Sequence, residues 1–146
     1  AQAYEKAGLL KKAQTAYQRG FGLNPDYPKG IILYGNFLNR TKRFDECLKI
    51  IERLKDKEKF QFQYHLLRGQ ALMGKGLYGE AINELEKGNK IYNSDTSLLN
   101  SLGYCYYQSG QLQRALEVLQ ASLKLNQKQK DIQSLINEIE TKLKKK

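Results

Sequence analysis

The sequence predicts an all-α fold, a right-handed superhelical solenoid of antiparallel helix pairs with a capping helix at its C-terminal end. Three observations predict it. The same residue types return every 34 positions, apolar residues follow the spacing of amphipathic helices, and glycines stand between the helical stretches. Apolar residues make up 40% of the 146 residues and charged residues 27%, as in folded, soluble chains.

The 34-residue period is clearest at the small residues. Ala13, Cys47, Ala81 and Ala115 are spaced 34 residues apart, and a large apolar residue stands three positions before each of them. Small side chains on both helices of a pair let the two backbones approach closely, so each period predicts one helix pair. A second small-residue register contains Ala1, Gly35, Gly69 and Gly103.

Within a period, the apolar spacing predicts two helices and a tight turn. Leu112, Leu116 and Leu119 lie on one helical face, and Gly110 precedes them at a point where a positive φ can end the previous helix. The pattern predicts helices at 1–7, 10–22, 28–40, 44–56, 61–74, 78–91, 96–108, 112–125 and 130–144.

The segments GQALMGKGLYGEAINELEKG and LGYCYYQSGQLQRALEVLQAS, aligned at this period, resemble the tetratricopeptide repeat family. Pro25 stands where that family has a closing proline, whereas Lys42 replaces its turn glycine in one unit. The resemblance implies a non-catalytic scaffold that binds other proteins. It divides the chain into a partial repeat at 1–27, repeats at 28–61, 62–95 and 96–127, and a capping helix with a basic tail at 128–146.

The two ends of the chain differ in their predicted surroundings. In the last helix, Ile132, Ile136 and Ile139 share one face, as expected of a helix that covers the last repeat and meets water on its other side. At the other end, Ala1 stands midway through a predicted first helix, without a capping sequence before it. We therefore expect the chain to be a fragment whose parent protein has further repeats before residue 1.

Residues that carry catalysis or bind metals are scarce. His65 is the single histidine and lies in a packing register, and we expect Cys47 and Cys105 to be inert buried thiols. The sequence has no CxxC pair, HExxH, GxSxG or phosphate-binding glycine loop. It therefore predicts no enzyme activity, no metal site and no cofactor.

Stacked helix pairs curve into a superhelix whose concave side is lined by the first helix of each pair. The side chains expected there combine amides, which can pair with a peptide backbone, with apolar and aromatic groups. The sequence thus predicts that a peptide segment or partner protein binds in this groove, the alternative being that Met73 and Tyr104 only complete the core between repeats. The predicted partner-binding residues are Ile32, Asn36, Asn39, Arg40, Leu66, Gln70, Met73, Asn100, Tyr104, Tyr107 and Gln108.

Some members of this family hold the terminal carboxylate of a chaperone tail in a clamp of Lys, Asn and Arg. At the clamp positions this sequence keeps Asn36 but has Ile32, Leu67, Ser97 and Ser101 at the other four. A carboxylate would have no charge-assisted partner among those four side chains. We therefore predict that the chain does not bind chaperone tails through such a clamp.

The net charge of +10 supports a different partner class. The surplus of bases lies toward the two ends of the chain, so the alternative hypothesis is a basic surface that binds nucleic acid or an acidic partner. Its residues would be Lys42, Arg43, Lys49, Arg53, Lys55, Lys57 and the KLKKK tail.

Self-association through the uncapped N-terminal end is a third hypothesis.

No apolar run has the roughly 18 residues that a membrane span needs. The two cysteines are too few for a disulfide framework and favour a reducing, cytoplasmic compartment. A periplasmic location and a place in a larger anchored protein are the alternatives.

Overall fold

The computed structural model of the chain describes the backbone of residues 2–145 and the side chains of residues 6–145. Within that range the chain folds into eight α-helices and no strands. The helices are α1 (Gln2–Leu23), α2 (Pro28–Arg40), α3 (Phe44–Ile51), α4 (Gln61–Gly74), α5 (Tyr78–Ile91), α6 (Thr96–Gln108), α7 (Leu112–Leu125) and α8 (Lys130–Lys144), with 3₁₀ turns at Glu52–Leu54 and Glu58–Phe60.

The helices from α2 onwards form stacked pairs. α2 pairs with α3, α4 with α5 and α6 with α7, and α8 packs on α7. Glycines allow the close approach within a pair: a Cβ added at Gly69 or Gly103 would lie 2.5 Å from Leu85 or Leu119 on the opposite helix. The result is the predicted helical solenoid, with its core between successive layers of helices.

The predicted break at Gly8 is wrong, because the expected helices 1–7 and 10–22 form the single helix α1. In the three later units, the residues at the register of Gly8 are Lys42, Gly76 and Gly110. Each has a positive φ and lies just after the end of a helix. The side chains from Lys6 to Lys12 are exposed, so no packing holds a turn there. A glycine inside a helix costs only about 1 kcal/mol relative to alanine, which does not break it. The expectation for Ala1 lies outside the described residues.

The helix predicted at 44–56 is also shorter than expected, since α3 ends at Ile51 and a 3₁₀ turn follows. The Gln61 side chain explains this end. Its Nε2 donates to three carbonyl oxygens between residues 54 and 57, at 2.8–3.1 Å, so those carbonyls are satisfied without a longer α-helix. The six remaining helices have the bounds that the sequence predicts.

Candidate functional site

The first helices of successive pairs line one face of the solenoid. α2 lies beside α4, and α4 lies beside α6. α8 begins 34 residues after α6, so it occupies the sequence register of a further first helix. This face is the concave groove of a right-handed helix-pair solenoid, and it is where the sequence places the predicted partner-binding residues.

A cavity of about 430 Å³ opens between α2 and α4 on this face. Five of the predicted residues come together there, and the other six lie elsewhere along the face. The cavity is lined by Asn36, Asn39, Arg40, Lys42, Phe44, Gln70, Met73, Gly74 and Ser97. Sequence reasoning missed Lys42, Phe44 and Gly74 as groove residues, because all three occupy packing or turn positions of the repeat.

The apolar part of the cavity is formed by Phe44 and Met73. The Phe44 ring packs directly on the backbone of Gly74, and a Cβ added at Gly74 would overlap that ring. Both Phe44 and Met73 are half-buried, so part of each side chain faces the cavity. This contact gives the cavity a fixed apolar wall beside the amides of Asn36 and Gln70.

Lys42 at the cavity rim has a left-handed backbone with φ of 62°. The residues at the same register in the next two units are Gly76 and Gly110, with φ of 78° and 76°. A left-handed conformation costs a residue with a Cβ about 1 kcal/mol more than it costs glycine. Lys42 therefore adopts a strained conformation where the later repeats use a residue that fits it without strain.

Three cations are paired with carboxylates, one just before α3, one in the turn that follows α3 and one in the α4–α5 turn. Arg43 contacts Glu46 at 2.6 Å, Lys75 contacts Asp45 at 2.6 Å, and Arg53 is likewise paired. Among the described side chains, Arg40 and Lys42 form no ion pair. The Arg40 guanidinium instead lies 5.9 Å from the ring centroid of Phe37. The cavity thus has two cations and no carboxylate in its lining.

The predicted amides Asn39 and Asn100 make hydrogen bonds within the protein. Asn39 Nδ2 donates to the carbonyl oxygen of Leu67 at 3.2 Å, which ties α2 to α4. Asn100 Nδ2 donates to Gln129 Oε1 at 2.8 Å, and Asn100 Oδ1 accepts from Ser122 Oγ at 2.6 Å. These side chains hold neighbouring elements together, in addition to any role in binding.

The two predicted tyrosines differ in their surroundings. Tyr104 is 39% exposed, and its ring meets the ring of Tyr78 edge-on at 6.1 Å. The Tyr107 hydroxyl accepts a hydrogen bond from Lys142 Nζ at 2.7 Å, and this bond raises the pKa of Lys142. The Lys142 ammonium also lies 4.6 Å from the Tyr107 ring centroid. α8 therefore covers part of Tyr107.

The remaining predicted residues range from packed to exposed. Ile32 and Leu66 are half-buried against the two core clusters. Gln70 Nε2 donates to Ser101 Oγ at 3.4 Å, which links α4 to α6 across the groove floor. Gln108 is exposed at the end of α6.

Models of one family match both ends of the chain. A tetratricopeptide repeat model matches residues 72–139, and a second tetratricopeptide repeat model matches residues 1–27. The chain belongs to the tetratricopeptide repeat (TPR) family. TPR domains are typically non-catalytic protein–protein interaction modules, and this TPR chain is an interaction scaffold in that broad sense. Among curated proteins, no relative matches the sequence.

Solved TPR structures share the fold at low sequence identity. MamA from Desulfovibrio magneticus RS-1, residues 41 to the end, is 17% identical with a TM-score of 0.76, and the match covers 98% of this chain and 81% of that one. The thermophilic TPR protein TTC0263 from Thermus thermophilus is 18% identical with a TM-score of 0.76, covering 97% and 78%. The first TPR of Spaghetti (RPAP3), bound to the HSP90 peptide SRMEEVD, is 15% identical with a TM-score of 0.71, covering 77% and 90%.

The two thiols of this TPR domain are enclosed by the helix pairs. Cys47 and Cys105 are fully buried. Burial raises the pKa of each thiol to about 12, although a hydrogen bond with Asn39 opposes the shift at Cys47. Both therefore remain protonated at neutral pH, and a protonated thiol is neither a nucleophile nor a metal ligand.

His65 belongs to a charged cluster that the sequence did not reveal. Its Nδ1 lies 2.8 Å from Glu84 Oε2, and Glu84 Oε1 also contacts Arg68 and Lys87 at 3.4 and 3.7 Å. We call these four residues the Glu84 cluster. It borders a second cavity of about 430 Å³, between the first 3₁₀ turn, α4 and α5. His65 is thus a structural histidine with a carboxylate partner.

We expect the Glu84 cluster to make the fold less stable at acid pH than at neutral pH. Burial alone would raise the pKa of Glu84, but the His65 hydrogen bond and the charges of Lys87, His65 and Arg68 outweigh it and lower that pKa. A carboxyl whose pKa is lower in the folded state stabilises the fold above its unfolded pKa of about 4.3, and that stability is lost as pH falls through the folded pKa.

The measurement is the free energy of unfolding by urea at several pH values from 3 to 7. At pH 7, Glu84→Gln should unfold at a lower urea concentration than the parent. Its free energy of unfolding should then fall less than that of the parent as the pH is lowered. Glu117→Gln, on an exposed side chain of α7, is the control and should follow the parent. Equal acid dependence for parent and Glu84→Gln would contradict the assignment.

Within the described residues, no three His, Cys, Asp or Glu side chains are grouped so that they could hold a metal ion. None of the described helices has the length and apolar character to cross a membrane.

Proposed function

We propose that this TPR chain is a non-catalytic scaffold that binds a peptide segment of a partner protein in its concave groove, centred on the cavity between α2 and α4. The observation that carries the proposal is the lining of that cavity. It combines an apolar wall, the exposed amide of Asn36 and two cations at one place on the groove face.

The cavity offers the contacts that an extended peptide needs. Phe44 and Met73 supply apolar area, and a few such anchors carry most of the energy in peptide interfaces. Asn36 is exposed, and its amide can pair with both the N–H and the C=O of a peptide backbone. The helices beneath are packed on each other, so the site is formed before a ligand binds.

The test is selection from a displayed library of random 12-residue peptides, followed by affinity measurements on the enriched peptides. Met73→Ala should weaken their binding about tenfold, because a hot-spot side chain contributes more than about 1.4 kcal/mol. Asn83→Ala, exposed on α5 outside the groove, is the matched control. Failure to enrich any peptide, or equal affinity for parent and Met73→Ala, would overturn the proposal.

Chaperone tails of the kind bound by Spaghetti should not bind this chain through a clamp on their terminal carboxylate. The peptide SRMEEVD is bound in that TPR structure. Here, Leu67 and Ser101 are buried at two clamp positions, and Ile32 is half-buried at a third. We expect that amidation of the C-terminal carboxylate leaves the affinity of this chain for SRMEEVD unchanged in a fluorescence anisotropy titration. Micromolar binding that is lost when the C-terminal carboxylate is amidated would show that a clamp exists.

A further inference from the structure

The charge of the α2–α4 cavity is unbalanced, in contrast to the second cavity on the protein. Its nine lining residues include Arg40 and Lys42 and no carboxylate. The second cavity, which has the same volume, is lined by cations together with Glu52, Asp56 and Glu84, and Arg68 there contacts both Glu52 and Glu84. Of these two cavities, the α2–α4 cavity therefore presents an uncompensated positive charge beside an apolar wall.

The backbone of Lys42 gives an independent observation. Lys42 takes φ of 62°, where the corresponding residues of the next two repeats are glycines. Its side chain is exposed, so packing does not account for a residue that strains the turn. Strained backbone positions of this kind cluster at active sites and ligand-binding sites. Lys42 is one of the residues that line the cavity.

We infer that the α2–α4 cavity accepts an acidic side chain from within the bound segment, next to an apolar side chain that packs on Phe44 and Met73. This inference rests on the proposed function, since it names the ligand chemistry of the same groove. In an extended segment, residues two apart face the same side at a spacing of about 6.6–7 Å. The recognised pattern is therefore an Asp or Glu, any residue, and then an apolar residue, in either chain direction.

The carboxylate of that side chain pairs with Arg40 and Lys42. Arg40 is held over the Phe37 ring, so less of its conformational freedom is lost on binding. Charge-assisted hydrogen bonds from both cations favour the carboxylate over a neutral amide. Neither residue is at a position of the chaperone-tail clamp, and the site does not require a chain terminus.

The experiment uses the peptides enriched from the 12-residue library and synthetic versions in which Asp or Glu is replaced by Asn or Gln. Enriched peptides should carry the acidic pattern, and neutralising the acid should weaken binding at least tenfold. Lys42→Gln and Arg40→Gln should each give a similar loss, with a weaker salt dependence than the parent. Lys90→Gln, an exposed cation of α5, is the control and should bind as the parent does.

Lys42→Gly separates binding from folding. It relieves the left-handed strain, so its urea midpoint should rise, while its affinity for acidic peptides should fall as in Lys42→Gln. Enriched peptides without an acidic preference, or with unchanged affinity for Arg40→Gln and Lys42→Gln, would overturn the inference and leave peptide binding in place. A library that yields no binders would overturn both the inference and the proposed function.

Discussion

Gly69→Leu is expected to lower the free energy of unfolding by about 3 kcal/mol, the upper end of the usual cost of overpacking a core. Gly69 lies where α4 packs on Leu85 of α5. A Cβ at this position would lie 2.5 Å from Leu85 Cγ and 3.5 Å from the carbonyl oxygen of Ala81. Leu85 is fully buried and has no open space to move into, so the two helices must separate to admit a side chain.

Urea denaturation followed by circular dichroism measures this loss. Gly79→Leu is the matched control, because Gly79 is also helical but has no atom within 4 Å of an added Cβ. Leucine favours the helix over glycine by nearly 1 kcal/mol, so Gly79→Leu should be as stable as the parent or more stable. A Gly69→Leu protein as stable as Gly79→Leu would contradict the close packing of α4 on α5.

The repeat register made most of the fold predictable. A 34-residue period fixes which positions must be small, and Gly35, Gly69 and Gly103 all lie at buried helix contacts. The register could not predict that α1 continues through Gly8, because a turn needs packing on both sides as well as a permissive residue. The division of the chain into repeats at residues 28, 62 and 96 stays a prediction.

The sequence predicts which helix face lines the groove. It does not predict which side chains on that face are free to contact a ligand. The register places Asn39 and Asn100 on the groove side, yet both make hydrogen bonds to neighbouring elements. Those bonds depend on how far α4 and the segment before α8 lie from each amide, which a sequence pattern does not specify. The sequence places Lys42 at a turn position and on a basic surface. In the structure it has a left-handed backbone and also lines the α2–α4 cavity.

Ile139→Ala in α8 is expected to cost about 3 kcal/mol, as for other large-to-small changes at fully buried sites. Ile139 has no exposed surface, and Phe37, Ala71 and Cys105, which share its register, are buried as well. α8 thus uses the packing face of a first helix although no second helix follows it within the described residues. Without the Ile139 side chain, α8 keeps less apolar contact with the core that α6 and α7 share.

Asn137→Ala is the control for Ile139→Ala on the same helix. Asn137 stands in the register of Gly35, Gly69 and Gly103 but is exposed, since no described helix packs on it. Alanine favours the helix there, so this variant should match or exceed the parent in stability. Hydrogen exchange should show loss of protection in α8 and α7 of Ile139→Ala before α4. A uniform loss of hydrogen-exchange protection across all helices would show that α8 does not cap the solenoid. So would a loss of stability for Ile139→Ala no larger than that for Asn137→Ala.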